Sequence, residues 1–300
     1  MAVHRTRMVT EPIILLGTGR SGTTMLGRIF SQHPDVAFWV EPRPVWMHGH
    51  LYRQHHELGA QDLTPAIARY IDKRFARFVN KRGKTRFAEK TPSNCLRIPF
   101  IHALFPDCKM INVIRDGRAV VGTTYRMQSV RPQSSRIIAR MVETPLWEWP
   151  AYLPLFFQTA WRTVFLRKRS TFWGVRPAEW QQWVGLPPHI SAAKQWRRTV
   201  EASIRDGRAL PAKNYLELRF ERLIQEPAQV VKEMIEFAEL APCPAMIEYA
   251  VAHVDPTRAA KAKANLTPQQ MCEAIKEMEP LLTLLGYQTE PDRASGEDPN

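Results

Sequence analysis

Residues 17–24 read GTGRSGTT and follow the apolar run PIILL. Gly17 and Gly22 have the spacing of a phosphate-binding loop of the form G-x-x-x-x-G-K-[ST], in which a lysine after the second glycine reaches the β- and γ-phosphates. Thr23 stands in that lysine's place. Glycines allow a tight turn with several N–H groups pointing inward, and a helix starting near Ser21 adds its dipole and its free N–H groups, an arrangement suited to an anion. Thr23 and Thr24 offer hydroxyls to phosphate oxygens, and Arg20 brings a cation from before the second glycine rather than after it.

A second segment narrows the kind of anion. Nucleoside triphosphatases bring a strand ending in aspartate near this loop to hold Mg²⁺. Here the run KMINVI ends in Arg115, a fixed cation that repels a metal and reaches phosphate with two parallel hydrogen bonds. Thr123 lies eight residues further on, about two helical turns, and presents a hydroxyl toward the same side. Taken alone, Arg115 reads better as a strand-end arginine paired with Asp116, a glutamate or solvent.

These residues need a frame. Short apolar runs bounded by turn signals predict strands at 12–17, 36–40, 85–88, 109–114 and 214–219,. Amphipathic stretches predict helices over TTMLGRIFSQH, LTPAIARYIDKRFARFVNKR, GRAVVGTTYRMQ, AQVVKEMIEFAEL and TPQQMCEAIKEMEPLLTLLG. The alternation points to an α/β doubly wound chain, in which ligands sit at the carboxyl ends of the strands, where GTGRSGTT falls. Residues 129–190 break this rhythm: they carry Trp147, Trp149, Trp161, Trp173, Trp180 and Trp183 amid several prolines. Pro150 and Pro154, with Glu148 and Arg162, argue against a spanning helix. Two readings stay open, a helical insertion that packs its aromatics on the sheet, and an apolar acceptor pocket or interfacial patch over 146–169 with its RKR near lipid headgroups.

Composition sets wider bounds. With 44% hydrophobic and 24% charged residues the chain is globular, not disordered,. Four scattered cysteines without a C-x-x-C pair indicate neither zinc nor a disulfide framework,. The first twelve residues hold no apolar stretch, so the expected address is cytoplasmic, with peripheral contact at the inner membrane face left open by 146–169,. A net charge of +13 favours anionic partners without choosing among them,.

Together, the two phosphate segments resemble the sulfotransferases that use 3′-phosphoadenosine 5′-phosphosulfate. GTGRSGTTML looks like that family's 5′-phosphosulfate loop and INVIRDGRAVVGTTY like its 3′-phosphate segment. AEKTPSNCLRIPFIHALFPDCK, YLELRFERLIQEPAQVV and the closing LLTLLGY are similar to bacterial members and, more distantly, to tyrosylprotein sulfotransferases. The resemblance implies a P-loop NTPase-like three-layer fold with a central parallel sheet flanked by helices, one domain over 10–288 with 129–190 as its acceptor-side or lid region; the composition of PDRASGEDPN marks 291–300 as a disordered tail,. It also implies roles. Arg20, Ser21, Gly22, Thr23 and Thr24 would hold the 5′-phosphosulfate, Arg115 and Thr123 the 3′-phosphate, and Lys90 the leaving side of the sulfuryl group. Arg258 and Lys261, in PTRAAKAK, stand where relatives close a basic loop over the 3′-phosphate. No metal is required, and the partner is a hydroxyl-bearing acceptor (lipid, carbohydrate or other small molecule), with apolar, glycolipid and aromatic acceptors favoured by the aromatic content.

The base needs its own argument, because an attacking hydroxyl must lose its proton. The cytosolic branch uses a histidine in a K-T-H segment; this chain has Lys90-Thr91-Pro92. In the tyrosylprotein branch the base resembles a glutamate shortly after the second strand, which lands on Glu41. A salt bridge of Glu41 with Arg43 or Arg20 is the plainer alternative, and His33 and His102 are the other candidate bases. Two rival functions remain at this stage: a P-loop kinase or triphosphatase with a degenerate loop, and a basic protein binding anionic membrane. No nucleic-acid motif is present, and the sequence does not specify an oligomeric state.

Overall fold

A computed structural model of the chain describes residues 7–129, 174–254 and 265–289. Five parallel strands, β1 (Ile13–Leu16), β2 (Val36–Val40), β3 (Arg86–Lys90), β4 (Lys109–Ile114) and β5 (Tyr215–Arg219), lie in the order β2-β3-β1-β4-β5. The helices are α1 (Thr23–Phe30), α2 (Arg43–Trp46), α3 (Pro65–Lys81), α4 (Ile98–Leu104), α5 (Gly117–Ser129), α6 (Pro188–Arg208), α7 (Phe220–Gln225), α8 (Pro227–Phe237), α9 (Pro244–His253) and α10 (Pro268–Leu284).

β1 holds the centre because all four of its residues are apolar and can be buried on both faces, as a central parallel strand requires,. Side chains alternate across a strand. Ile14 and Leu16 therefore pack with Trp46, Phe75, Phe87 and Phe100 on one side, and Ile13 and Leu15 with Leu26, Ile29, Val230 and Met234 on the other. From β1 the chain runs outward to β2, returns to insert β3 beside β1, then crosses to β4 and β5. That reversal opens a crevice beyond the carboxyl end of β1, the place where open α/β sheets bind ligands.

The expected strands all form, with one shift: β3 runs to Lys90 instead of ending at Ala88. Glu89 and Lys90 look like loop residues by polarity, yet both are buried at the strand's end because partners await them there. α6, unread in the sequence, buries Ser191, Ala192, Ala193, Thr199, Ala202, Ser203 and Gly207. Small and polar residues weaken the apolar periodicity that marks a helix. α6 packs on α5 and α10 around Trp196.

Of the aromatic-rich segment, residues 174–190 are described, and there Trp180 and Trp183 are buried against the domain. Trp147, Trp149, Trp161 and Trp173, the 146–169 patch and the 291–300 tail lie outside the described residues. Among the described residues no helix is long and apolar enough to cross a membrane.

Trp196 couples this packing to the sheet, since it is 1% exposed and its indole N–H donates to the carbonyl of Arg115 at 3.1 Å. Trp196→Ala leaves a large cavity and an unpaired carbonyl, and chemical denaturation should read a loss of about 3–5 kcal/mol in unfolding free energy.

Candidate active site

The loop between β1 and α1 depends on its glycines. Gly17 has φ 149°, and a Cβ there would come within 2.5 Å of Ser21 Oγ and 2.8 Å of the Val113 carbonyl. Gly22 has φ 102°, and a Cβ would lie 2.4 Å from the Phe220 ring. Arg20 itself sits at φ 72°, a left-handed conformation that costs a non-glycine residue about 1–3 kcal/mol. The turn is fastened from within: Ser21 donates to the Thr18 carbonyl from both its N–H (3.2 Å) and its hydroxyl (2.7 Å), and the Gly17 N–H donates to Cys95 Sγ at 3.1 Å.

Gly22 is the N-cap of α1 and no side chain caps the helix. The first-turn N–H groups of a helix have no intrahelical partner, so those of α1 face the loop as a site for negative charge. Thr23 is buried and Thr24 exposed beside them. The Ser21 hydroxyl is spent inside the loop, so Ser21 shapes the turn. Thr18, which sequence reasoning passed over, is buried with its Oγ1 lacking a hydrogen-bond partner among the described residues.

Arg115 reaches the same loop from the next strand. Its Nη1 donates to the Arg20 carbonyl at 2.9 Å, and its guanidinium lies 4.6 Å from the centre of the Phe220 ring. The pairing with Asp116 does not form. Asp116 is held by Arg118 through Nε (3.1 Å) and Nη2 (2.8 Å), and Glu221 accepts from the Asp116 N–H at 2.9 Å. Arg115 Nε is buried without a hydrogen-bond partner among the described residues. Burial lowers the Arg115 pKa from its ordinary value, Glu221 opposes that, and Arg20 adds to it. The Thr123 hydroxyl donates to the Ala119 carbonyl within its own helix at 2.8 Å, and must rotate away to donate to a ligand. Phe220 was not legible as a site residue; its only signal was an aromatic directly after β5.

Strand register assembles the remaining groups. Lys90 pairs with Leu15 of β1 on one side and Val40 of β2 on the other. Glu41 follows Val40, and its N–H donates to the Lys90 carbonyl at 2.9 Å, extending the ladder by one rung. The chain then turns sharply, with Glu41 at φ 52°. The Glu41 carboxylate receives Lys90 Nζ at 2.8 Å and Arg43 Nη2 at 2.6 Å. The salt bridge with Arg43 expected as the plainer alternative forms, and a second one joins Glu41 to Lys90.

Other candidates stand apart from this group. His33 is 2% exposed, with Nε2 3.0 Å from the Ala241 carbonyl and Nδ1 accepting from the Asp35 N–H. His102 lies on α4, and burial lowers its pKa. Arg258 and Lys261 lie outside the described residues. No cluster of three or more His, Cys, Asp or Glu able to hold a metal occurs among the described residues.

Residues 12–153 match the sequence profile of the sulfotransferase family. The nodulation protein NoeE of Sinorhizobium fredii is 25% identical over 153 residues, 43% of this chain and 36% of that protein. The protein-tyrosine sulfotransferase of Drosophila melanogaster is 29% identical over 125 residues, 37% of this chain and 24% of that protein. The chain thus spans about a quarter to a third of the length of these two curated relatives. Among solved structures, the sulfotransferase domain from the curacin biosynthetic pathway superposes with TM-score 0.55 at 14% identity, covering 94% of this chain and 99% of that one. That likeness is one of fold: a P-loop-like α/β sheet flanked by helices.

Glu89, beside Lys90, has a measurable signature. It is fully buried, its oxygens accept from Thr91 Oγ1 (2.6 Å) and Asn94 Nδ2 (2.5 Å), and burial pushes its pKa up to about 7. The folded chain keeps this proton to about pH 7, whereas an unperturbed glutamate releases it near 4.5. The contribution of Glu89 to stability is therefore greatest below that lower value and falls as pH rises through the higher one. Glu89→Gln, which has no proton to release, should flatten this part of the fall in unfolding free energy when denaturation is followed across that window.

Proposed function

We propose that this chain transfers a sulfuryl group from 3′-phosphoadenosine 5′-phosphosulfate to an acceptor hydroxyl, with Glu41 as the base. The observation that carries the reading is the junction of two anion-holding segments, in which Arg115 Nη1 bonds the Arg20 carbonyl at 2.9 Å, next to a carboxylate and lysine paired at the end of the adjoining strand.

The residues fit the donor. The uncapped start of α1 with Thr23 and Thr24 suits a 5′-phosphosulfate, and Arg20 adds charge beside it. The buried Arg115, with Nε unpartnered among the described residues, suits the 3′-phosphate, and Thr123 can turn its hydroxyl to the same group. Asp116, the carboxylate nearest a triphosphatase's magnesium position, is already engaged by Arg118, which disfavours the kinase reading. Arg258 and Lys261 complete the donor set as a basic loop, on the strength of the resemblance. Residues 10–288 then form one catalytic domain, with 129–190 on the acceptor side.

Glu41 accepts the proton of the acceptor O–H as the oxygen forms its bond to sulfur. The bond between sulfur and the bridging phosphate oxygen breaks in line, and its electron pair leaves with 3′-phosphoadenosine 5′-phosphate. Lys90 lies between base and donor, and its ammonium, with Arg20 and the loop N–H groups, neutralises charge growing on the bridging oxygen. A hydroxyl-bearing acceptor follows from the family, and the apolar or glycolipid class rests on the aromatic composition of 129–190.

Two substitutions separate chemistry from binding. Glu41→Gln should lower sulfuryl transfer by about 10²–10⁴-fold while calorimetric affinity for 3′-phosphoadenosine 5′-phosphate stays within a few-fold; unchanged turnover removes Glu41 from the mechanism. Arg115→Met should raise the Kd for that nucleotide by about 10–100-fold, as expected for charge-assisted hydrogen bonds of about 1.5–3 kcal/mol. An unaltered Kd refutes its role.

A further inference from the structure

The Glu41 carboxylate is bound by two cations, Lys90 and Arg43, and a third, Arg97, lies within the field of Arg43. Arg97, at the start of α4, is 0% exposed. Its Nη2 donates to Ser93 Oγ at 3.1 Å, but Nε and Nη1 have no hydrogen-bond partner among the described residues. Glu89 is the carboxylate that acts on Arg97, and its two oxygens already accept from Thr91 and Asn94. A tight ion pair would raise the arginine's pKa and lower the glutamate's. Burial brings Arg97 down to about 9 and Glu89 up to about 7 while the charge of each opposes the other's shift, and Glu89 leaves Nε and Nη1 of Arg97 without a hydrogen bond among the described residues.

Two more arginines face the same place. Arg43 is exposed and bound to Glu41. Arg176 is half-buried, with its guanidinium 4.8 Å from the centre of the Trp180 ring. Both meet Arg97 at His56. The His56 N–H donates to the Arg176 carbonyl at 2.8 Å, and its Nδ1 accepts the Arg176 N–H at 3.0 Å, which leaves the ring proton on Nε2,. Burial and then the charges of Arg97, Arg43 and Arg176 hold the His56 pKa at about 2, so this ring stays a neutral donor. An unpaired buried guanidinium is costly, and an anion supplies what it lacks. The donor does not serve here: its segments lie at the ends of β1 and β4, whereas this cluster lies beyond β3 and is walled by residues 43–56 and 174–180.

We infer that the acceptor carries an anionic group, a carboxylate or a phosphate, and that Arg43, Arg97 and Arg176 receive it with His56 beside Glu41. The inference rests on the proposed sulfuryl transfer and adds the class of acceptor. It places the hydroxyl within reach of the base by anchoring the acceptor through its charge.

The test titrates malonate and inorganic phosphate, as separate probes, into protein saturated with 3′-phosphoadenosine 5′-phosphate, so that the donor loop is filled. Calorimetry should detect binding of at least one probe, weakened tenfold or more in Arg43→Gln or Arg176→Gln and unchanged in the exposed control Arg28→Gln. The buried Arg97 is left intact to preserve folding. Turnover of 4-hydroxyphenylacetate or 4-hydroxyphenyl phosphate against the neutral 4-ethylphenol then tells carboxylate from phosphate. Absence of probe binding, or binding that neither arginine variant weakens, overturns the anionic site. Failure of the nucleotide to bind overturns the sulfotransferase reading instead, and the same variants titrated without nucleotide still decide the arginine cluster.

Discussion

The bond from Arg115 Nη1 to the Arg20 carbonyl is the contact on which the site depends. It joins the end of β4 to the loop after β1 and holds a guanidinium against a backbone turn that already carries an uncapped helix start. Both parts favour negative charge nearby. Burial of Arg115 raises the cost of leaving that charge unanswered,. The packing of Trp196 against the Arg115 carbonyl and of Phe220 against Gly22 fixes the two halves from outside.

Glu41 and Lys90 are set by a different device. Parallel pairing aligns Leu15, Lys90 and Val40 across three strands, so the residue after Val40 is delivered to the Lys90 backbone without any flexible loop. Glu41 thus belongs to the sheet by its N–H and to the crevice by its side chain. Its two cationic partners differ in kind: Lys90 is buried, whereas Arg43 is exposed.

The donor side was legible because it is local. GTGRSGTT directly follows β1, an unbroken apolar run, and Arg115 directly follows β4, a largely apolar one, so both segments can be placed at strand ends from the sequence, while the donor roles proposed for them come from the resemblance. Glu41 and Lys90 were legible through the resemblance rather than through any periodicity. The acceptor side was not, because it is assembled from positions far apart in the chain. Arg97 resembles any arginine in a loop until burial is known, His56 gains meaning only from its bonds to Arg176, and α6 hides its buried face behind alanine, serine and glycine. The early end expected for β3 has the same origin, since the polarity of Glu89 and Lys90 says nothing of the hydroxyl, amide and carboxylate waiting for them.

The Gly17 N–H rests on the thiol of Cys95, in the short turn that follows Lys90. Burial holds that thiol's pKa up at about 12, so it remains an uncharged, soft acceptor at any physiological pH. Through it the donor loop leans on the same stretch of chain that carries Lys90. The contact between the Gly17 loop and the turn after Lys90 therefore does not change its charge as pH varies, and the two segments stay joined by a bond that does not titrate in that range.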